Sequence, residues 1–368
     1  MKVTVLIPVY RTPKFLGDII AKILRNEYAY KEIVVAVDGV LTKDIEEALI
    51  PFRDKIVLHA PNQHMGKARL LNEATSRLDT DTLVFFDNDI LLPEDPQFLN
   101  RLTQTMQRYD IVEMAKEVIK ESFYSTMISY EYIGFSIVHS LFSLISERLP
   151  SVIGSAFAVK KELFDQLGGF QHVVHEDVDF GARAFRLNAR YTYSIPLKVK
   201  TTMPNTAQEW ITQRKRWTLI NVLWFKDNIG YLVSKIFSQP SLIPTILLTI
   251  SPFLCSLLVF FLFDQTKLVY LTSAIFLMTQ SQKYIYGAFL WAINYAMITK
   301  GVLNMLVGFL ITFAMYYTFS RIGKYRFNFF EFFVYYFFYM PVIVLFHIII
   351  FFWVIVKKPL NLEWKVSN

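Results

Sequence analysis

Hydrophobic positions in the first part of the chain follow two rhythms. Short apolar runs at Val3–Pro8, Glu32–Val37, Lys55–Leu58 and Thr82–Phe86 have the length and β-branched content of buried strands. Between them, Lys14–Asn26, Asp44–Phe52 and Lys67–Arg77 carry apolar residues every three or four positions, the spacing of amphipathic helices. Strands alternating with helices predict an α/β domain whose mostly parallel, Rossmann-like sheet is covered on both faces. Ligands of such sheets bind beyond the carboxyl ends of the strands, where this sequence places Asp38 and Asp87. Further on, Ser151–Val159 returns to strand, and Lys161–Gly169, Asp179–Leu187 and Gln208–Trp224 to helix. Tyr109 to Pro150 fits neither rhythm. Its segment Phe123–Leu149 is apolar and aromatic yet carries Glu131, His139, Glu147 and Arg148. That mixture suits helices near a membrane face, an acceptor surface, or helices buried within the domain.

A third pattern begins near Leu242. From there to Ser320 the only charged residues are Asp264, Lys267, Lys283 and Lys300, and a second uncharged run extends from Phe332 to Val356. A bilayer core roughly 30 Å thick needs about 20 apolar residues in a helix, which these runs supply without the polar face a buried soluble helix would keep. Spans are predicted near Ile243–Phe263, Leu268–Leu290, Gly301–Ser320 and Phe332–Val356. The chain then divides into a catalytic-type domain with interfacial helices, residues 1–238, and an all-α transmembrane bundle of about four helices, residues 239–368. Four spans would return Lys357-Lys358 to the cytosol, as the positive-inside rule prefers, but would place Arg321–Arg326 outside. An extra hairpin within Leu268–Ile298 would reverse both.

Composition sharpens this picture. Hydrophobic residues make up 54% of the 368 and charged residues 19%, which argues against an all-soluble chain. The opening MKVTVLIPVY is short, β-rich and broken by Pro8, unlike a signal peptide, so the first domain is expected to stay in the cytosol of a multi-pass cell-membrane protein. Cys255 is the single cysteine, which excludes a disulfide scaffold and a cysteine metal site. The net charge of +7 suits anionic lipid headgroups or phosphorylated substrates. The basic residues form no patch with interleaved aromatics, so no nucleic acid is expected as a partner.

The candidate chemistry lies at strand ends. Asp87 and Asp89 follow a hydrophobic strand two residues apart; side chains sent to one face could together hold Mg²⁺ or Mn²⁺ with diphosphate oxygens and water. Taken alone, Asp-x-Asp is common in solvated turns. Asp38-Gly39 also ends a strand, as an ordinary turn or as an acceptor for a nucleobase. Gly66-Lys67-Ala68 opens a helix whose free N–H groups, with the Lys67 charge, favour phosphate. In His175-Glu176-Asp177 the clustered carboxylates repel, and partial burial would raise a pKa toward that of a general base; helix capping by Asp177 is the plainer alternative. Gln213-Arg214-Lys215-Arg216-Trp217 precedes the membrane region, where it could anchor to headgroups, or bind a diphosphate through Arg216 and stack Trp217 on a sugar.

In order, Pro8-Val9-Tyr10, Asp38, Gly66-Lys67-Ala68 with Leu71-Asn72, and Asp87-x-Asp89 resemble the donor site of glycosyltransferase family 2 on the GT-A fold. Gly154, Lys160-Lys161, Leu167-Gly168-Gly169-Phe170, His175-Glu176-Asp177 and Gln213-x-x-Arg216-Trp217 resemble its membrane-integrated branch, which holds cellulose, hyaluronan and poly-N-acetylglucosamine synthases and ceramide glucosyltransferase. The resemblance implies that Pro8, Tyr10, Asp38 and Lys67 hold a nucleotide sugar, expected to be a UDP-sugar. It implies nucleotide and metal contacts at Asp87 and Asp89, and Asp177, beside Glu176, as general base of an inverting transfer. Gln213, Arg216 and Trp217 would close over the diphosphate and the acceptor sugar, with His175 on the acceptor side. Three departures stand out: Arg11-Thr12 in place of Asn-Glu, His175 in place of Thr, and the expectation of no span ahead of the domain, where the large synthases have at least one. The expected acceptor is a lipid or a growing polysaccharide, with membrane lipids and a second copy of the chain as candidate partners. A dolichol-phosphate-type transferase and a non-catalytic membrane subunit are the competing readings.

Overall fold

The computed structural model describes residues 1–173, 175–238 and 283–356. Contacts divide the chain into two compact units, 1–242 with 342–368, and 243–341. The first unit is built on one eight-stranded sheet, in the order β3-β2-β1-β4-β7-β6-β8-β5. Its strands are β1 (Val3–Val9), β2 (Lys31–Val37), β3 (Val57–His59), β4 (Thr82–Phe86), β5 (Ile90–Leu91), β6 (Ile111–Val118), β7 (Ala156–Lys160) and β8 (Tyr191–Thr201). Strands β1 to β4 are parallel, as the alternation predicts. Beyond them β7 runs antiparallel to both β4 and β6, β6 pairs parallel with β8, and β5 runs antiparallel to β8, so the sheet is mostly parallel, as expected, with β5 and β7 as its two reversed strands. Antiparallel β7 is reached from β6 through a long helix on one face rather than by a parallel crossover, which the run lengths alone did not reveal.

Helices α1 (Leu16–Arg25), α2 (Lys43–Leu49), α3 (Lys67–Thr75) and α4 (Phe98–Met106) fill the connections. In α1, Leu16, Ile19, Ile20 and Ile23 form the buried stripe, each side chain contributing roughly 1.5–3 kcal/mol by leaving water. The helix predicted to run to Phe52 ends at Leu49, because Pro51 turns the chain into a 3₁₀ segment, Ile50–Lys55.

The unreadable stretch resolves into β6 and α5 (Phe123–Ser146). α5 has the length and apolarity to cross a membrane, but it packs along β6 and β8 and more than half of its apolar window is buried. It is therefore a helix of the catalytic unit. An irregularity between Met114 and Lys116 puts Glu113 and Lys116 together beneath it. There the Glu113 carboxylate meets Lys116 Nζ at 2.9 Å and His139 Nδ1 at 3.1 Å, and accepts from the Tyr191 hydroxyl at 2.9 Å. Burial would raise the Glu113 carboxyl, but the Lys116 charge and then His139 outweigh it and hold it at about 2. These polar positions are what broke the hydrophobic rhythm.

Helices α6 (Lys161–Gln166), α7 (Glu176–Arg186) and α8 (Ala207–Ser238) complete this unit. Phe85, Phe157, Phe164, Phe170 and Phe180 stack through centroid distances of 5.0 to 6.4 Å, tying β4 and β7 to the start of α7. The second unit holds α9 (Lys283–Ile322) and α10 (Phe329–Val334), joined by aromatic packing of Phe309 and Phe313 on Phe332. A π-helical turn, Tyr335–Tyr339, then leads into α11 (Met340–Val356), where Pro341 lacks an N–H for the helical ladder. Met305–Ile322 and Phe329–Trp353 are long and apolar enough to cross a membrane. The spans predicted at Ile243–Phe263 and over most of Leu268–Leu290 lie outside the described residues.

Candidate active site

The order 3-2-1-4 sends the chain outward from β1 and then back to its other side, which opens a crevice between the carboxyl ends of β1 and β4. The register confirms where it opens. β1 follows β2 as far as Val9 but leaves β4 after Leu6, so Pro8, with no N–H to donate, sits where no ladder needs one. Tyr10 follows, with the Arg11 guanidinium 5.0 Å from its ring centre. Asp38 is buried at the end of β2 and is already engaged. Its carboxylate accepts the Met65 and Gly66 amides at 2.8 and 3.1 Å and meets His64 Nδ1 at 3.0 Å. Asp38 thereby shapes the loop ahead of α3, and His64 stands against Tyr10 at 5.1 Å. Gly66 caps α3 with φ of +83°, a conformation that favours glycine.

Asp87 and Asp89 do not lie on a strand. The Ile90 amide returns to the Asp87 carbonyl at 3.3 Å, making Asp87–Asn88–Asp89 a tight turn between β4 and β5. Within it Asn88 bonds the Thr12 carbonyl at 2.6 Å and accepts the Phe15 amide at 3.0 Å, which fixes the Tyr10–Phe15 loop to the turn. Lys67 Nζ contacts Asp87 Oδ1 at 2.6 Å and lies 3.9 Å from Glu176 Oε1. Burial alone would favour losing the Lys67 proton, but Asp87 and Glu176 outweigh it and keep the ammonium charged. Burial and then the Asp87 charge push the Asp89 carboxyl up. A divalent cation would relieve that repulsion, so the pair fits Mg²⁺ or Mn²⁺. Among the described residues no third His, Cys, Asp or Glu joins them, which leaves further ligand positions to diphosphate oxygens and water.

Across Lys67 stands the second acidic pair. Asp177 accepts the Gly154 amide through Oδ2 and its neighbour Val178 through Oδ1, both at 2.8 Å. The Ser155 carbonyl in turn accepts the Asp87 amide at 2.9 Å, so Gly154-Ser155 bridges the two acidic pairs. Burial, then the Asp177 charge, push the Glu176 carboxyl up to about 7. His175 is buried, and among the described residues its Nδ1 has no hydrogen-bond partner.

The raised carboxyl has a consequence for stability. Folded Glu176 keeps a proton that the unfolded chain loses above the ordinary glutamate value of about 4.5. Its stabilising contribution is therefore complete below about pH 4.5 and is lost as the pH rises through about 7. Glu176→Gln should unfold like the parent at pH 4.5 and be more stable at pH 8 by on the order of 1 kcal/mol, since Lys67 keeps Asp87 as partner. Thermal unfolding at the two pH values checks this; a variant less stable at pH 8 would contradict it.

The family model described as "Glycosyltransferase like family 2" matches residues 1–219, which include all of these positions. The chain belongs to that family. Among solved structures it is similar to a mannosyltransferase from Pyrobaculum calidifontis, solved with GDP-Man and Mn²⁺, at 16% identity and a TM-score of 0.54 over 96% of this chain and 87% of that one. A structure of S. aureus TarS 1-349 with UDP-GlcNAc matches at 15% identity and a TM-score of 0.44, over 61% of this chain and 65% of that one. At these identities the likeness shows the fold. None of the curated proteins compared matches.

The family's motifs also brace one another. Asn72 donates to the Phe170 carbonyl at 2.7 Å and accepts its amide at 2.8 Å, pinning α3 to the Gly168-Gly169-Phe170 turn. Arg183 holds the same turn by donating to the carbonyls of Leu167 and Gly169 at 2.7 and 2.9 Å. Sequence reasoning gave Asn72 no role and missed Arg183, although its i,i+4 spacing from Asp179 was a usable signal. In α8, Gln213 is half-buried and reaches Met203 Sδ at 3.7 Å, Arg216 is exposed, and Trp217 packs on Tyr132 of α5 at 6.4 Å. Burial and the charge of Asp89 push the Tyr132 hydroxyl well above the tyrosine range, so Asp89 and the Tyr132–Trp217 pair lie within electrostatic reach.

Proposed function

We propose that the chain is an inverting, metal-dependent glycosyltransferase that moves a sugar from a nucleotide diphosphate donor to an acceptor held at the cell membrane. The observation that carries this reading is the convergence of both acidic pairs on Lys67, 2.6 Å from Asp87 and 3.9 Å from Glu176, at the mouth of the β1–β4 crevice. One pair suits a metal and diphosphate; the other suits deprotonation of an acceptor hydroxyl. Pro8, Tyr10 and the Asp38-braced loop would receive the nucleoside, with Lys67 against the diphosphate. Asp87 and Asp89 would hold Mg²⁺ or Mn²⁺, which when bound supplies Lewis-acid stabilisation of the leaving diphosphate. Asp177, oriented by the Gly154 and Val178 amides, takes the acceptor proton as the hydroxyl attacks the anomeric carbon from the face opposite the nucleotide. One displacement inverts the configuration and needs no covalent intermediate. Arg216 and Gln213 would close on the diphosphate, and Trp217 would meet the acceptor sugar.

Two apolar helices in the carboxyl-terminal third, and Phe346 of α11 packed edge-on against Trp210 of α8 at 5.6 Å, support a membrane-held acceptor, lipid or polysaccharide. The test is nucleotide release by purified protein from a panel of UDP- and GDP-sugars, with Mn²⁺, with Mg²⁺ and with a chelator. Release from at least one donor, lost on chelation, is expected. Asp89→Asn should lower it about 10²-fold or more even in saturating metal; release unchanged by both treatments would rule out the metal role.

A further inference from the structure

One buried charge pair beside the site has no part in the chemistry above. Glu131 lies midway along α5 and Arg214 directly follows Gln213 in α8. Arg214 Nη1 and Glu131 Oε2 are 2.6 Å apart, with the side chains 4% and 9% exposed. Removing two charges from water is costly, and an apolar pair of similar volume would join the two helices about as well. What the ion pair adds is direction. The guanidinium lies 4.8 Å from the ring centre of Trp217 and 5.9 Å from that of Trp210, within cation–π range of both. Trp217 meets Tyr132, the residue next to Glu131, while Trp210 is held between Tyr124 at 5.8 Å and Phe346 at 5.6 Å. Two adjacent residues of α5 thus engage two residues of α8 one turn apart, a grip that fixes rotation of the α8 motif as well as its distance.

We infer that Glu131 is a positioning residue: through Arg214 it sets the orientation of the Trp217 indole, and with it the placement of the acceptor rather than the donor. This rests on the glycosyltransferase reading, in which Trp217 meets the acceptor sugar. The Arg214 charge is engaged by Glu131, so Arg214 serves as the strut between Glu131 and Trp217 and leaves the diphosphate to Arg216 and Lys67.

The protein is labelled with 5-fluorotryptophan and its ¹⁹F spectrum recorded, the Trp217 signal being assigned by its loss in Trp217→Phe. In Glu131→Gln the Trp217 resonance is expected to shift or broaden. That of Trp224, two turns further along α8 and packed on Ala182, should stay in place. In parallel, with octyl β-glucoside as a sugar acceptor carrying an alkyl chain, KM for the glucoside should rise at least fivefold while nucleotide release to water stays within twofold. An unmoved Trp217 signal overturns the inference, as does an equal loss of transfer and of release to water. If Glu131→Gln does not fold, the double variant Glu131→Leu, Arg214→Met replaces the pair by apolar side chains; a parental Trp217 resonance there is equally fatal. A parent protein that releases no nucleotide from any donor would sink the glycosyltransferase reading, and the fluorine signal would still decide the positioning claim.

Discussion

Replacing Asp177 by Asn is expected to lower sugar transfer by about 10²–10⁴-fold, the contribution of a placed general base. The expectation rests on geometry. Asp177 is held by the Gly154 amide on one oxygen and by Val178 on the other, an orientation Asn can keep in part while losing the ability to accept a proton. Nucleotide affinity should change little, since in the proposed function the donor side is built from Asp38, Lys67 and Asp87. Glu176 makes the comparison informative, because its carboxyl is the one pushed up to about 7. If Asp177 is the base, Glu176→Gln leaves most of the activity and removes a rise in rate as the pH passes through about 7. If Glu176 were the base, its variant would be the more damaged of the two. Single-turnover transfer over pH 5 to 9 for the parent and both variants separates these outcomes.

Gly154→Ala should be nearly as damaging, although it removes no functional group. A Cβ added there would lie 2.7 Å from both the Cβ and Oδ2 of Asp177, closer than real side chains approach. The backbone at Gly154 is not in the left-handed region, so alanine suits the conformation and only the space is missing. Asp177 or the loop must give way. A displacement near 1 Å at the reacting groups costs roughly 10²-fold in rate. Transfer should fall by about that factor with Tm within a few degrees of the parent, because Gly154 is buried but the added methyl meets one side chain rather than backbone. Parent-like transfer would mean that the base does not need this contact. Gly181 offers a contrast: its Cβ would meet the Ser151 backbone at 2.7 Å, so alanine there should unseat α7 and lower stability as well.

The strands that frame the crevice were legible because each is a bounded apolar run. Val3–Pro8 and Thr82–Phe86 were placed within a residue, and Lys67 was recognised as the start of its helix. In the far half of the sheet only β7 was legible, within Ser151–Val159. β6 carries Glu113 and Lys116 at full burial, and β8 mixes Lys198 and Lys200 with its apolar positions, so neither shows a strand rhythm. Their charges are affordable only through partners distant in sequence: His139 and Tyr191 for Glu113, and Glu117 for Lys198. α5 was ambiguous in the opposite direction. Its apolar surface suited a membrane face, an acceptor surface or a helix buried in the domain, and the structure takes the last, with most of its apolar window buried.

By itself, then, the sequence determined the parallel half of the sheet, the strand-end carboxylates and the apolar carboxyl-terminal third, because local hydrophobic period and chain length decide those features. Its motifs, read in order, also indicated the family. Only the tertiary structure decided that Asp38 shapes a loop, that Lys67 lies between Asp87 and Glu176, that Gly154 makes room for Asp177, and that Glu131 grips the α8 motif. Each of these is a contact between residues 20 or more positions apart. Periodicity reports which face a side chain takes, while such contacts depend on which elements the topology makes neighbours.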